Sequence, residues 1–187
     1  ELDVPARSWQ GWQVPLKTTG NHGAARIEEI PTDNIMKKFS EGMKVAVIAG
    51  FQGISYDQRI TTLGRGGSDT TAVAFAAAFG AKRCDIYTDV NGVYTTDPRI
   101  CSKARKLDQI SYEEMLELAS LGAKVLQTRS VELAMRFEVP LRVLSSFELA
   151  TEKSGTIVCK EEDVVEKNVV AGVAFSRDEA KMTLVSV

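Results

Sequence analysis

The apolar positions of the chain fall into short β-branched runs that alternate with stretches of helical spacing. Residues 44–53 form a continuous apolar run bounded by glycines, which predicts a strand covered on both faces, as in a parallel sheet. Shorter runs predict further strands at 7–16, 25–30, 84–89, 139–145 and 155–159. Because helices separate many of these strands, the pattern predicts an α/β fold, a three-layer αβα sandwich with a mainly parallel sheet.

Helices are predicted where apolar residues recur at helical spacing or where end signals are present. The stretches are 33–41, ending near Gly42, an alanine-rich segment at 70–79 that ends at Gly80, a helix from about Ser111 to Leu121, and 128–138. Ser111 and Glu114 have the spacing of a capping box. Residues 54–63 predict a hairpin arm, and the alternation after residue 168 predicts a second hairpin.

Composition and charge narrow the class of protein. The 187 residues carry a net charge of −2, and lysine and arginine are dispersed, so nucleic acid is not an expected partner. No apolar run approaches the roughly 18 residues that a membrane span needs, and no signal peptide is visible, so we expect a cytosolic protein. The three cysteines lack metal-site spacing, so no protein-bound metal is expected and the thiols indicate a reducing compartment.

The most informative motif is T-T-L-G-R-G-G-S-D-T at residues 61–70, between a strand-like run and the alanine-rich helix. Its glycines allow the backbone to approach a ligand closely, and a helix that begins at about Thr70 presents free N–H groups to an anion. Arg65 adds a forked cation suited to a carboxylate or phosphate. The motif is neither a Walker A loop nor GxGxxG, and a glycine-rich turn with an aspartate helix cap is the alternative.

Two further motifs follow at predicted strand and helix ends. Residues 87–99 (Y-T-D-V-N-G-V-Y-T-T-D-P-R) begin where a strand ends, and ligands of open α/β sheets bind beyond the carboxyl ends of strands. Thr88 and Asp89 can accept from ribose hydroxyls, and Arg99 can pair with a phosphate. The alternative is a polar loop with an Asp-Pro bend. In S-L-G-A-K-V-L at 120–126, Lys124 projects near the same edge, or else is a solvated surface lysine.

The combination and order of the three motifs resembles the aspartate kinases of the amino acid kinase superfamily. The T-D-V-x-G-V-Y segment is shared across the superfamily, whereas G-R-G-G-S-D together with T-T-D-P-R points to aspartate kinases. The tail from Gly172 resembles the start of their ACT regulatory region. The resemblance implies a partial kinase domain at 1–159, a linker at 160–167 and the start of an ACT domain at 168–187.

The resemblance also implies a reaction in which Mg²⁺-ATP phosphorylates the side chain of L-aspartate to 4-phospho-L-aspartate, the entry to lysine, threonine and methionine synthesis. Ser68 and Asp69 would lie at the reacting centre, and Asp69 would organise the catalytic groups. Arg65, with Gly66 and Gly67, would bind aspartate. The ATP site would be lined by Thr88, Asp89, Tyr94, Arg99, Lys124 and Val125. The intact enzyme would be a homo-oligomer.

Some features of the family pattern are missing from the sequence. Aspartate kinases open with a K-F-G-G-T-S segment, which this chain lacks, and the ACT-like part ends after its first hairpin. We therefore expect little or no kinase activity from the chain alone. The only histidine, His22, lies in a loop that can face the substrate, although a structural or exposed histidine is the expected role.

Two other functions stay open at the level of sequence. One is a kinase of the same superfamily that acts on acetylglutamate, glutamate or UMP. The other is a non-catalytic regulatory subunit that keeps the nucleotide-binding fold. The G-R-G-G-S-D string and the ACT-like tail argue against the first, and the predominance of kinase-domain sequence argues against the second.

Overall fold

A computed structural model describes residues 3–123, 125–152, 154–165 and 172–174 of the chain. The described strands are β1 (Ala6–Trp9), β2 (Lys17–Thr18), β3 (Ile27–Glu29), β4 (Val45–Ile48), β5 (Gln52–Ile54), β6 (Ile60–Thr62), β7 (Cys84–Thr88), β8 (Gln109–Ser111), β9 (Leu141–Ser145) and β10 (Thr156–Cys159). The described helices are α1 (Asp33–Ser40), α2 (Gly67–Ala78), α3 (Tyr112–Ser120) and α4 (Thr128–Phe137), followed by a 3₁₀ turn at Glu161–Asp163.

The strands form three sheets with both parallel and antiparallel pairing. One four-stranded sheet has the order β7-β9-β10-β8, in which β7 pairs parallel with β9, β10 pairs parallel with β8, and β9 and β10 are antiparallel. A second sheet has the order β3-β2-β5-β6, and β1 pairs parallel with β4 in a third. The predicted α/β class is confirmed, and parallel pairs are combined with antiparallel hairpins.

The main core lies between one face of the β7-β9-β10-β8 sheet and helices α2, α3 and α4. Ile86 of β7 and Val143 of β9 point into it, and each helix contributes at least one residue with no exposed surface, such as Val73, Met115 and Val131. Burying an aliphatic side chain of this size stabilises a fold by about 1.5–3 kcal/mol. Alternate residues along β7 and β9 point away from this core, in keeping with strand periodicity.

The β1–β4 pair packs through a smaller core onto helices α1 and α2. Trp9 and Ile35 are buried there, and Phe75 of α2 packs against them. The sequence predicts that the 44–53 run is covered on both faces, and this prediction is wrong. Val45 and Val47 are 41% and 58% exposed because, within the described residues, β4 pairs with β1 and has its other face open.

Two long predicted strands are each divided by a turn. The 7–16 run ends as a strand at Trp9, turns, and resumes as β2. The 44–53 run breaks between Ile48 and Gln52, where Phe51 has a left-handed φ of 70°. The hairpin predicted at 54–63 is present as the antiparallel pair β5–β6, but its first strand begins at Gln52, within the run predicted as the preceding strand. Strand β8 is not predicted, because three residues are too few to show a period.

The helices agree closely with the sequence pattern except at the start of α2. The capping box of α3 is present, since Ser111 accepts from the Glu114 amide and Glu114 accepts from the Ser111 amide. The prediction that α2 begins at about Thr70 is wrong, because the helix begins at Gly67. The alternative of an aspartate cap is wrong too, since Gly66 is the N-cap and makes no side-chain cap.

The domain boundaries proposed from sequence stay predictions. Within the predicted linker at 160–167, the described residues form the short 3₁₀ turn, and the Val165 amide donates to Oε1 of Gln109. The predicted ACT hairpin at 168–187 lies outside the described residues, apart from 172–174.

Candidate active site at the start of helix α2

A glycine loop, defined here as Gly64–Gly67, leads from β6 into helix α2. Gly64 and Gly66 have φ of 78° and 70°, a conformation that glycine adopts at little cost. A Cβ on Gly67 would be 2.8 Å from side chains of Leu63 and Phe51. Gly66 is therefore required by its backbone angle and Gly67 by close packing.

The first turn of α2 carries the two residues predicted for the reacting centre. Ser68 is exposed and Asp69 is half-buried. Both lie within the helix, because α2 begins at Gly67, earlier than the sequence indicates. The Thr71 hydroxyl donates to the Gly67 carbonyl (2.6 Å) and accepts from the Phe51 amide (3.0 Å), which fixes this turn against the residue that precedes β5. The turn thus presents N–H groups and a partial positive charge beside Ser68.

Arg65 supplies a cation at the tip of the glycine loop. Its side chain is exposed, and within the described part of the chain it forms no ion pair. A guanidinium with no carboxylate of its own is free to bind a carboxylate or phosphate through two parallel hydrogen bonds. The glycine loop is therefore suited to an anionic ligand.

Asp69 is held in place by the segment before α4. Burial raises the pKa of Asp69 above its ordinary value, while hydrogen bonds from the backbone N–H of Gln127 and from the Ser68 side chain act to lower it. The carboxylate is thus partly withdrawn from water and has two polar neighbours that favour its charged form. This arrangement fits an organising role better than that of a solvated surface acid.

The predicted nucleotide residues begin at the carboxyl end of β7. Thr88 ends the strand and donates to Asp89 at 3.2 Å, and Asp89 is exposed. Tyr94 is partly buried, and its hydroxyl donates to Oδ1 of Asn91 at 2.9 Å. The loop at 88–99 therefore presents ordered polar side chains at the carboxyl end of β7, the end at which ligands of open sheets bind.

The 88–99 loop is anchored by a residue of strand β10 that the sequence does not single out. The hydroxyl of Thr156, on β10, accepts from the Val93 amide at 2.8 Å and donates to the Leu107 carbonyl at 2.5 Å. Thr156 has no exposed surface. A Cβ on Gly92 would be 2.6 Å from the Thr156 hydroxyl, so the close approach of this loop needs glycine.

Arg99 has a local partner. Its Nη2 lies 2.8 Å from Oδ2 of Asp97, and the Arg99 side chain is 88% exposed. The hydrogen bond from Arg99 lowers the pKa of Asp97, and the charge of Asp89 adds to the effect of Asp97 in raising the pKa of Arg99. Arg99 and Asp89 are thus electrostatic neighbours, and a phosphate would compete with Asp97 for the guanidinium.

The third motif is partly described. Lys124 lies outside the described residues, whereas Val125 is half-buried and packs against the main core. Ala72 of α2 and Val90 of the 88–99 loop pack against the same core. The second and third motifs therefore border one buried cluster together with α2, the helix into which the first motif leads. Gln127 also packs against Gly66 of the glycine loop.

His22 is part of the scaffold beside the glycine loop. Its Nδ1 lies 3.0 Å from the Ile60 carbonyl, and its own carbonyl accepts from both the amide and the hydroxyl of Thr62. These contacts tie the 19–25 segment to β6 and agree with the structural role expected for His22.

One cavity of the described residues lies away from the motifs. It has a volume of about 650 Å³ and is lined by Lys82, Arg83, Asp85, Pro140 and Ile157. These residues lie around the amino ends of β7 and β9, the end opposite the one where parallel sheets bind ligands. We therefore place the functional site at the motifs and not in this cavity.

Similarity to known proteins agrees with the motifs. The model of the amino acid kinase family matches residues 2–145. Aspartate kinase of Pseudomonas putida is 55% identical over 182 residues, which are 97% of this chain and 43% of that protein. Aspartokinase 2 of Bacillus subtilis is 51% identical over 184 residues, 98% of this chain and 44% of that protein. The chain thus spans less than half the length of these relatives.

A solved structure extends the likeness to three dimensions. Aspartokinase III of E. coli, in complex with aspartate and ADP, superposes with a TM-score of 0.74 at 39% identity, covering 84% of this chain and 35% of that one. Within the described residues, no helix is long and apolar enough to cross a membrane. The resemblance to aspartate kinases found in the motifs is confirmed. The chain belongs to the amino acid kinase family.

Proposed function

We propose that the protein carrying this chain is an aspartate kinase, which transfers the γ-phosphoryl group of ATP to the side-chain carboxylate of L-aspartate. The products are 4-phospho-L-aspartate and ADP, at the entry to lysine, threonine and methionine synthesis. The observation that carries the proposal is Arg65 at the start of α2, which is exposed, lies between two left-handed glycines and forms no ion pair with any residue that the structure describes. Its support is the likeness of nearly the whole chain to aspartate kinases.

Arg65 binds a carboxylate of aspartate in this proposal, with the amides of Gly66 and Gly67 close by. The glycine loop gives the substrate access to backbone donors that a Cβ would block. Because the ligand is a small dianion at its two carboxylates, charge neutralisation dominates its recognition.

The chemical step needs positioning more than it needs acid or base catalysis. A side-chain oxygen of aspartate forms a bond to the γ-phosphorus while the bond from that phosphorus to the β–γ bridging oxygen breaks, and ADP leaves with the electron pair. No proton has to move, since a carboxylate is ionised at neutral pH. Ser68, the first amides of α2 and the oriented Asp69 form the polar surface at which the two anions meet.

The nucleotide lies along the 88–99 loop and the third motif. Thr88 and Asp89 accept from ribose hydroxyls, and Tyr94 provides a flat, partly buried contact. Arg99 exchanges Asp97 for a phosphate, and Lys124 and Val125 complete the site. Tight anchoring of the loop by Thr156 supports this assignment, because a binding edge must keep its shape.

Magnesium would accompany the nucleotide. No group of three or more histidine, cysteine or acidic side chains within the described ranges is arranged to hold a metal ion. Mg²⁺ is commonly held by one or two carboxylates together with substrate phosphates, and the donor set here fits that mode. When bound, Mg²⁺ neutralises phosphate charge.

The intact enzyme is a homo-oligomer in this proposal, paired through the ACT region that the sequence predicts.

The test is a substrate panel with the purified full-length protein, Mg²⁺ and ATP. ADP release is measured with L-aspartate, L-glutamate, N-acetyl-L-glutamate or UMP as acceptor. Of the four acceptors, we expect only L-aspartate to be turned over, and we expect hydroxylamine to trap the acyl phosphate that it forms. Preference for another acceptor would reassign the substrate, and ATP binding without turnover on any acceptor would favour a regulatory subunit.

A further inference from the structure

Two polar residues at the start of α4 contact the glycine loop from outside. We propose that Gln127 and Arg129 are positioning residues, which hold the glycine loop in the conformation that binds the acceptor. The kinetic consequences of this inference rest on the proposed function, whereas its consequences for hydrogen exchange in the glycine loop do not.

Arg129 joins the glycine loop to the neighbouring 19–25 segment. Its Nη1 donates to the Leu63 carbonyl at 3.0 Å, and its Nη2 donates to the Ala25 carbonyl at 2.9 Å. Leu63 directly precedes Gly64, and the Ala25 amide donates to the Thr62 carbonyl at 3.0 Å. One guanidinium therefore fixes two backbone segments that lie 66 and 104 residues away in sequence.

Gln127 covers the glycine loop at its other end. A Cβ on Gly66 would be 1.9 Å from Cγ of Gln127, so this side chain fills the space that glycine leaves. The backbone N–H of Gln127 also acts to lower the pKa of Asp69, in the first turn of α2. Gln127 is also the N-cap of α4, and its carbonyl accepts from the Ser130 hydroxyl at 2.7 Å, so its position is set by the helix.

The loop needs such outside support because its own sequence does not define its shape. Glycine populates left- and right-handed backbone conformations about equally, so Gly64 and Gly66 leave the direction of Arg65 undetermined. A rigid helix end that contacts Leu63, Gly66 and Asp69 removes this freedom. Displacing a binding group by about 1 Å can cost roughly 100-fold in rate, so the support has kinetic weight.

The experiment compares Arg129→Met, Arg129→Lys and Gln127→Ala in the full-length protein. The matched control is Arg136→Met, because Arg136 lies on the same helix, is exposed, and has its guanidinium 5.5 Å from the Phe137 ring. Steady-state kinetics give kcat and KM for aspartate and for ATP. Hydrogen exchange of the amides at 64–69 gives a readout that needs no activity.

We expect Arg129→Met to lower kcat/KM for aspartate by about 10- to 100-fold, with KM for ATP within about threefold of wild type. Arg129→Lys should recover part of this loss, since an ammonium can still donate to one carbonyl. Exchange at 64–69 should rise by at least about tenfold in Arg129→Met and Gln127→Ala, and stay at the wild-type rate in Arg136→Met.

Wild-type exchange at 64–69 in both variants would overturn the proposal, whatever the activity. An equal loss of kcat/KM for both substrates, with no recovery in Arg129→Lys, would also overturn it in favour of general stability. If Arg129→Met does not fold, Arg129→Lys and Gln127→Ala decide the outcome by the same criteria. Absence of aspartate turnover in the wild type would refute the proposed function and leave the exchange result to judge the positioning role.

Discussion

Individual side chains decide what the glycine loop can bind. Arg65 is exposed and unpaired within the described residues, whereas Arg99, the other arginine assigned to the site, is neutralised locally by Asp97. The sequence predicts both arginines as anion ligands and cannot tell them apart, because their partners depend on the fold of each loop. The structure makes Arg65 the readier ligand.

Arg65→Ala in the full-length protein should reduce kcat/KM for aspartate by at least about 10²–10³, because a preorganised donor to the substrate is lost. KM for ATP should change little. Arg136→Ala on α4 is the control and should retain wild-type kinetics. An unchanged kcat/KM for aspartate in Arg65→Ala would refute the assigned role.

A second charged cluster contributes stability and not chemistry. Asp85 lies 2.5 Å from both Arg142 and Arg83, and the Arg142 side chain is only 7% exposed. Burial acts to raise the pKa of Asp85, but the hydrogen bonds from Arg142 and Arg83 outweigh it and leave the pKa below its ordinary value. Since the folded pKa is lowered, the stabilisation is present above the unfolded pKa of about 3.9 and is lost as pH falls further.

Asp85→Asn should therefore lower the free energy of unfolding at pH 7 by about 1.5–3 kcal/mol, the contribution of hydrogen bonds to a charged group. The difference from wild type should shrink below about pH 4. Urea unfolding at several pH values measures both effects, with Asp108→Asn as the exposed control. A difference that stays constant down to pH 2.5 would contradict the ionic origin.

At the scale of elements, the start of α2 is where sequence and structure differ most usefully. The sequence correctly predicts a glycine-rich turn followed by a helix, but it places Ser68 and Asp69 before the helix. They lie in its first turn because Gly66, and not a side chain, is the N-cap. The helix start is hidden in the sequence, since the residue that fixes it is Gln127, 61 positions away, packed on Gly66.

Gly66→Ala should disrupt this element far more than an alanine at another left-handed glycine. The new Cβ would be 1.9 Å from Gln127, so the helix start or α4 must shift. Gly80→Ala is the matched control, because Gly80 has a φ of 60° and open space where its Cβ would lie. Both variants incur the left-handed penalty of about 1–2 kcal/mol.

Only Gly66→Ala should also lower kcat/KM for aspartate, by at least about tenfold, since only it displaces residues beside the ligand. Melting temperatures and aspartate kinetics of the two full-length variants separate the effects. Equal kinetic losses in Gly66→Ala and Gly80→Ala would mean that packing on Gln127 is irrelevant to the site.

Other elements show which structural features a local sequence pattern predicts and which depend on the fold. The capping box of α3 is local and is predictable to the residue. The β5–β6 hairpin is also a local feature, although its first strand begins at Gln52, two residues before the predicted range. Strand β8, the division of the 44–53 run at Phe51, and the open face of β4 depend on pairing partners that a linear pattern does not contain. Thr156, Gln127 and Arg129 carry no motif, and only the fold brings them to the loops.

For the whole molecule, the class of fold and the family follow from three motifs in order, and the structure adds how they are joined. The second and third motifs border the buried core between the β7-β9-β10-β8 sheet and α2, α3 and α4, and the first motif leads into α2. Gln127, directly before α4, also packs against Gly66 of the glycine loop. The 88–99 loop is fixed separately, through Thr156 to β10.

The central claim is that the glycine loop and the 88–99 loop form one site, with the acceptor at the first and the nucleotide at the second. The direct measurement is a crystal structure of the full-length protein with L-aspartate and ADP. We predict an aspartate carboxylate within about 3 Å of the Arg65 guanidinium, in the same cleft as a nucleotide that contacts Thr88 and Asp89. The two ligands in separate clefts, or aspartate bound away from Arg65, would contradict the account.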